Sequence, residues 1–231
     1  MGTTAQSLLE TGIYTITEAS HLTRVSPGRI RRWLKGDEFQ SRRGRRRSPA
    51  VWHGQLQPID HSVALGFLDL LEVRCVDAFV AEGVSWKTLR VAHNHAQQRL
   101  KLSHPFCTDK FKVFGRDIIL ELPDQDGEPT LWDIARDQRV FSRIVRPFLK
   151  DLEFADGDVP QRWWPRGKSH LVALDPRRSF GQPIIFREGI PTRVLSRSVR
   201  ANPSIEEVAR WFEISPVSVH EAVEFERSLE A

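Results

Sequence analysis

Read as a succession of apolar and polar positions, the chain opens on two short helical patterns. Thr15 is followed three residues later by Glu18, the reciprocal pair that satisfies free amides at a helix start, and Ile16, Ala19 and Leu22 then recur at helical spacing. After Thr23, Arg24 and Val25, Ser26 offers a second N-cap and Pro27 a tolerated first helical position. Ile30, Trp33 and Leu34 give this second helix one apolar side, and Gly36 ends it. Two short helices across a tight turn predict a helix-turn-helix. Arg42 to Arg47, broken by Gly44, then fall where a hairpin wing would follow, with Ala50, Val51 and Trp52 as the returning strand.

Further along, the pattern predicts a helix from Asp60 to Val80, capped by Asp60 or Ser62 and closed by Gly83. Another starts at Ser85, with Trp86, Leu89, Ala92, Ala96 and Leu100 at helical spacing until His104 and Pro105 stop it. Phe111 to Leu122, two β-rich runs around Phe114, Gly115 and Arg116, read as a hairpin. A turn-rich linker (122–129), a short helix from Val140 to Leu149 and an extended run from Asp151 to Phe154 come next. The paired Trp163 and Trp164 suit either buried packing or an exposed anchor. Towards the end, Ile184 to Phe186 reads as a strand and a helix follows Pro191. Ser204 with Glu207 repeats the capping pair, and Ser215-Pro216 starts a last helix bearing Val219, Ala222, Val223 and Leu229. The expected class is mainly α with small β-hairpins (α+β), an N-terminal winged helix-turn-helix plus a C-terminal helix-turn-helix-like domain. The expected boundaries are 1–105, 106–165 for a connecting region, and 166–231.

Composition narrows the function classes. At 231 residues, 40% hydrophobic and 28% charged, the chain can bury a sizeable core. No run approaches the roughly 18 apolar residues that span a bilayer, and the N-terminus lacks a signal-peptide layout, so a cytoplasmic location is expected. Cys75 and Cys107 read as reduced, packed thiols. His93, His95 and His104 lack an accompanying acidic or cysteine ligand set and read as solvated helix residues, so no metal and no cofactor is expected. No phosphate loop, HExxH, GxSxG or nucleophile-base constellation stands at readable spacing, which argues against an enzyme.

The net charge of +4 is small but unevenly placed. From Arg24 to Arg47 there are ten basic residues against two acidic ones, and from Ala201 to Ala231 seven glutamates against two arginines. A polyanion is drawn to the first segment and repelled by the second. Arg29, Arg32 and Lys35 fall away from the apolar side of the second helix, with Arg31 flanking it, where such donors meet base edges or phosphates. Arg42, Arg43, Arg45, Arg46 and Arg47 suit phosphate contact. The acidic last helix suits a protein interface.

The run ITEASHLTRVSPGRIRRWLKG resembles the MerR-type winged helix, in which an arginine and an aromatic after a Val-Ser-Pro-like turn meet the DNA backbone; Arg31 and Trp33 stand there. Asp175-Pro176, Gly181 to Ile185 and Ser204 to Ala209 resemble the short C-terminal domain of VapB-type antitoxins, although the usual Gly-Thr-Arg after the strand reads Glu188-Gly189-Ile190-Pro191-Thr192-Arg193. The combination is similar to the larger VapB-like antitoxins with an N-terminal MerR-like module. That resemblance implies a homodimer that silences a PIN-domain ribonuclease toxin and represses its own operon by binding double-stranded operator DNA. It also implies that a basic side chain blocks the toxin's metal-holding carboxylates, for which Arg166, Lys168, Arg177 and Arg178 are candidates. The alternative is a stand-alone dimeric transcriptional regulator without a toxin.

Overall fold

A computed structural model of the chain describes residues 10–41, 44–59, 62–120, 134–136, 138–154, 157–202 and 204–230. These are mainly helical, with short antiparallel strand pairs, as the apolar pattern predicts. Two compact units divide the chain. One holds Tyr14–Lys150 with Phe154–Pro160, and the other holds Asp151–Glu153, Gln161–Ala231 and the segment up to Ile13. No described helix is long and apolar enough to cross a membrane.

In the first unit, β1 (Tyr14–Thr15) leads directly into α1 (Ile16–Thr23). The predicted capping pair is in place: Thr15 Oγ1 accepts the Glu18 amide at 3.2 Å, and Glu18 accepts the Thr15 amide at 2.8 Å. α2 (Pro27–Lys35) buries Ile30 and Trp33, and Gly36 closes it with φ +80°. β2 (Asp37–Ser41) and β3 (Gly44–Ser48) then form an antiparallel hairpin with Glu38 opposite Arg47. The returning strand is thus residues 44–48 and not Ala50 to Trp52. Val51 and Trp52 are instead buried, and the Val51 amide donates to the Trp33 carbonyl at 2.7 Å, which ties the chain beyond the hairpin to α2.

β4 (Ala64–Leu65) pairs with β1, and α3 (Phe67–Ala81) begins after Gly66 and not at Asp60, a residue outside those described. The physical reason lies in a distant cap. Gln55 Oε1 accepts the Leu68 amide at 2.7 Å, while Asp69 Oδ2 accepts those of Gln55 and Gly66, each at 2.9 Å. α4 (Trp86–Leu100) starts on Ser85 as expected, its hydroxyl accepting the Thr88 amide. Where a hairpin was expected at 111–122 the chain forms α5 (Asp109–Leu120). Thr108 caps it by accepting the Phe111 amide at 3.2 Å, and Phe111, Gly115, Ile118 and Ile119 are buried at helical spacing. The aromatic and β-branched richness of that run reflects its place in the core and not an extended backbone. The expected linker 122–129 lies outside the described residues.

α6 (Gln138–Leu149) buries Phe141, Ile144, Val145 and Leu149. Residues of the expected connecting region therefore belong to this core, where Phe106 lies 4.6 Å from Phe111 and Phe111 lies 5.9 Å from Phe141, ring centre to ring centre.

Two histidines expected in solvent are also core residues. His93 is fully buried, stacked on Trp52 and edge-on to Phe106, with its Nε2 3.5 Å from the buried Glu72. His104 donates from Nε2 to Asp69 Oδ1 at 2.8 Å, and Trp52 Nε1 donates to the same oxygen at 2.9 Å. Cys75 and Cys107 are free and buried, as expected of packed thiols. Burial, reinforced by the nearby Glu72 carboxylate, pushes both well above the usual thiol range.

β5 (Leu152–Phe154) and β6 (Pro160–Trp163) form a hairpin. In the second unit, β7 (Val172–Ala173), β8 (Ile184–Ile185) and β9 (Ile190–Pro191) make a three-stranded antiparallel sheet. α7 (Thr192–Ala201), α8 (Ile205–Trp211) and α9 (Pro216–Glu230) follow, with Ser204 capping α8 through the Glu207 amide. Trp163 is buried, whereas Trp164 is half-buried and donates to Glu153 at 3.2 Å.

Candidate functional site

Two groups of basic side chains were expected to carry function, one in each unit. In the first, helical periodicity on α2 sends Ile30 and Trp33 inward and leaves Arg31, Arg32 and Lys35 exposed, with the half-buried Arg29 at the edge of the apolar side. Acidic neighbours hold two of these four. Arg29 forms an ion pair with Asp77 of α3 at 2.8 Å, its guanidinium 5.1 Å above the Trp33 ring, and Arg32 forms one with Asp37 at 2.8 Å. Burial lifts the Asp77 carboxyl above its ordinary value, although Arg29 pulls the other way. On the hairpin Arg45 pairs with Glu38. Arg31, Lys35 and Arg47 are exposed and form no ion pair among the described residues. Trp33 is only 3% exposed, so its ring serves the core beneath Arg29 and offers a ligand little surface. Arg42 and Arg43 lie outside the described residues, as does the side chain of Arg46.

In the second unit the four expected residues sit in different surroundings. Arg166 and Lys168 are exposed on either side of Gly167, whose φ of +91° turns the chain between β6 and β7. Arg177 is exposed but holds Asp175, with Nε 3.3 Å from Oδ1. Arg178 donates to the Phe186 carbonyl at 2.6 Å and lies over the Phe186 ring at 5.0 Å; Arg162 approaches the same ring at 4.5 Å. Arg178 therefore works within the fold, whereas Arg166 and Lys168 are displayed.

Asp175, buried at the Asp-Pro step, collects these arginines: Arg162 Nε donates at 3.0 Å and the Arg177 amide at 3.0 Å. Burial pushes its carboxyl upward, but the bonds from Arg177 and Arg162 outweigh burial and hold it below the ordinary value. A depressed carboxyl contributes stability that is present above its unfolded pKa of about 3.9 and is lost as pH falls through the lower folded value. Asp175→Asn is accordingly expected to lower the unfolding temperature at pH 7 and to flatten the loss of stability below about pH 4, both read by circular dichroism melts across pH. A steep acid limb that survives the substitution would place the titrating group elsewhere.

The acidic surplus of the last segment is mostly engaged inside its own unit. Glu221 meets His170 at 3.1 Å, Glu226 accepts from Thr192, Glu230 pairs with Arg200, and Glu224 bonds Arg227 at 2.7 Å. Sequence reasoning also missed a third basic group on α6, where Arg139, Arg143 and Arg146 recur at helical spacing. Among the described residues no group of three or more His, Cys, Asp or Glu side chains could hold a metal ion.

No protein-family model matches this sequence. A Mycobacterium tuberculosis protein named "Putative antitoxin VapB45" is 24% identical over 230 residues, covering 92% of each chain. The crystal structure of Rv2018 from Mycobacterium tuberculosis superposes with a TM-score of 0.69 at 21% identity, covering 91% of this chain and 96% of that one. The fold is thus that of Rv2018, and the sequence is similar along nearly its whole length to a protein named as a VapB-type antitoxin.

Proposed function

We propose that this protein is the antitoxin of a type II toxin–antitoxin pair. In this reading it holds a PIN-domain ribonuclease inactive through its second unit and represses its own operon, as a homodimer, by binding operator DNA through the first. The observation that carries the reading is the similarity to a protein named as an antitoxin, which runs through both units and not through one alone. The display of Arg31, Lys35 and Arg47 beside the acid-held Arg29, Arg32 and Arg45 supports the DNA-binding half. The acid-held three are positioned, and the open three have charge to offer to phosphates.

Replacing Arg31 and Arg47 together by alanine is expected to weaken binding to every duplex alike. It should also make the slope of log affinity against log salt shallower by about 1.8, at roughly 0.9 per phosphate contact. Fluorescence anisotropy across a salt series reads both quantities; lost sequence preference with an unchanged slope would contradict the assignment.

Inhibition would come from the displayed turn. PIN nucleases hold divalent metal with clustered carboxylates, a setting that an inserted arginine or lysine neutralises. In an RNA-cleavage assay, an equimolar amount of this protein is expected to silence the nuclease encoded by the adjacent reading frame, and Arg166→Ala with Lys168→Ala to restore cleavage. Full inhibition by that double variant would move the blocking segment elsewhere.

A further inference from the structure

The corner between α8 and α9 carries an apolar surface that neither the DNA-binding face nor the displayed turn uses. Trp211, the last residue of α8, is 60% exposed, and Val217, in the first turn of α9, is 64% exposed; no other large apolar residue among those described is as open. The four residues between them are held in place. The Phe212 amide donates to the Val208 carbonyl at 3.1 Å and the Ile214 amide to the Ala209 carbonyl at 3.0 Å, while Ser215 Oγ accepts the Ser218 amide at 3.1 Å. Trp211 and Val217 are therefore presented to solvent on a fixed backbone, with the half-buried Phe212 and Ile214 between them in the chain. Taking such surface out of water is favourable, and a partner that covers it need not first order the turn.

We infer that this corner is where two copies of the chain meet about a twofold axis, with Trp211 and Val217 at the centre and Arg210 of each copy facing the glutamates of the other. Charge selects that occupant. The Arg210 side chain is 75% exposed, and its carboxylate neighbour, Glu207 of the same helix, stands 3.9 Å away, at the far limit of an ion pair. Glu206 and Glu213 are exposed and form no ion pair among the described residues. Phosphates would meet these two glutamates with like charge, and so would the metal-holding carboxylates of a nuclease. A twofold interface sets one patch against itself, so it needs both signs around an apolar centre, and this corner has both. Arginine and tryptophan, adjacent here as residues 210 and 211, are also among the side chains that most often dominate binding energy. The inference rests on the reading of this protein as a homodimer and adds where the copies meet. That place is on the second unit, which leaves the arginines of α2 and the hairpin, all in the first unit, for DNA.

The test is sedimentation velocity of the full-length protein over a dilution series, without DNA. Trp211→Ser with Val217→Ser should weaken self-association on the order of a thousandfold, because truncating an anchoring tryptophan costs about thirtyfold or more and twofold symmetry counts the loss twice. Both residues are exposed, so the fold should survive, as circular dichroism will show. Arg210→Glu, which leaves the apolar pair intact and sets carboxylate against carboxylate, should weaken the dimer by about tenfold or more. A folded double variant that associates as the wild type does overturns the inference and leaves the homodimer reading standing; should the double variant not fold, an unchanged dimer in Arg210→Glu overturns it. A double variant that stays dimeric but no longer retains the nuclease of the adjacent reading frame also overturns the inference and makes the corner a nuclease-binding face. If the wild-type chain is a monomer at every concentration, the homodimer reading and the inference fail together.

Discussion

Asp69→Ala is expected to destabilise the first unit by on the order of 3–5 kcal/mol, a large part of the roughly 5–15 kcal/mol that holds a domain together. The reason is the number of donors that converge on one fully buried carboxylate. Oδ1 accepts from Trp52 Nε1 and His104 Nε2, and Oδ2 accepts from the amides of Gln55 and Gly66. Alanine would leave all four without that acceptor in the interior, and an unmade buried bond costs more than a made one contributes. It would also release the start of α3, the helix whose Asp77 holds Arg29. Urea denaturation followed by tryptophan fluorescence measures the loss, and Trp52 reports the site itself. Asp69→Asn, which keeps an acceptor but presents an amide to donors, should lie between wild type and alanine. A loss below about 1 kcal/mol for alanine, the worth of one ordinary hydrogen bond, would mean that the network is not what holds this end of α3.

The second large effect is expected at Gly36. Its φ of +80° with ψ of −173° is a conformation nearly restricted to glycine, and a Cβ built there would stand 2.2 Å from the Ser48 carbonyl oxygen of β3. Backbone strain and a clash with backbone thus add, for a cost on the order of 2–4 kcal/mol on Gly36→Ala. The consequence for function is specific. Gly36 joins α2 to the hairpin, so displacing Ser48 shifts Arg45 and Arg47 relative to Arg31 and Lys35. The variant should therefore lose DNA affinity as well as stability. Gly28→Ala, at a position in α2 with open space around its Cβ, is the matched control and should be neutral or slightly stabilising. Equal melting temperatures for the two variants would refute the geometric argument.

What could be read from the sequence divides along the range of the interactions involved. The caps at Thr15, Ser85 and Ser204 were readable because donor and acceptor lie three residues apart. The start of α3 was not, because the group that receives the Leu68 amide is Gln55, thirteen residues away across a loop. α5 was misread as a hairpin because its β-branched and aromatic residues answer to the core around Phe106 and Phe141, and its cap, Thr108, precedes the segment that seemed extended. His93 and His104 looked solvated because the carboxylates that accompany them, Glu72 and Asp69, stand 21 and 35 residues earlier. For the candidate site, the charge of residues 24–47 was plain, but which arginines are restrained depended on Asp77, far along the chain. The arginines of α6 recur at helical spacing, so that group was legible in the sequence alone.

If this protein is one half of a toxin–antitoxin pair, the two chains travel together, and a mass reveals it. The chain is co-expressed with the product of its adjacent reading frame, purified through a tag on this chain only, and the eluted species is weighed by native mass spectrometry. A stoichiometric complex with a small nuclease that cleaves RNA once released from it is the expected result. A lone homodimer that still binds its upstream DNA would contradict it and leave a regulator without a toxin.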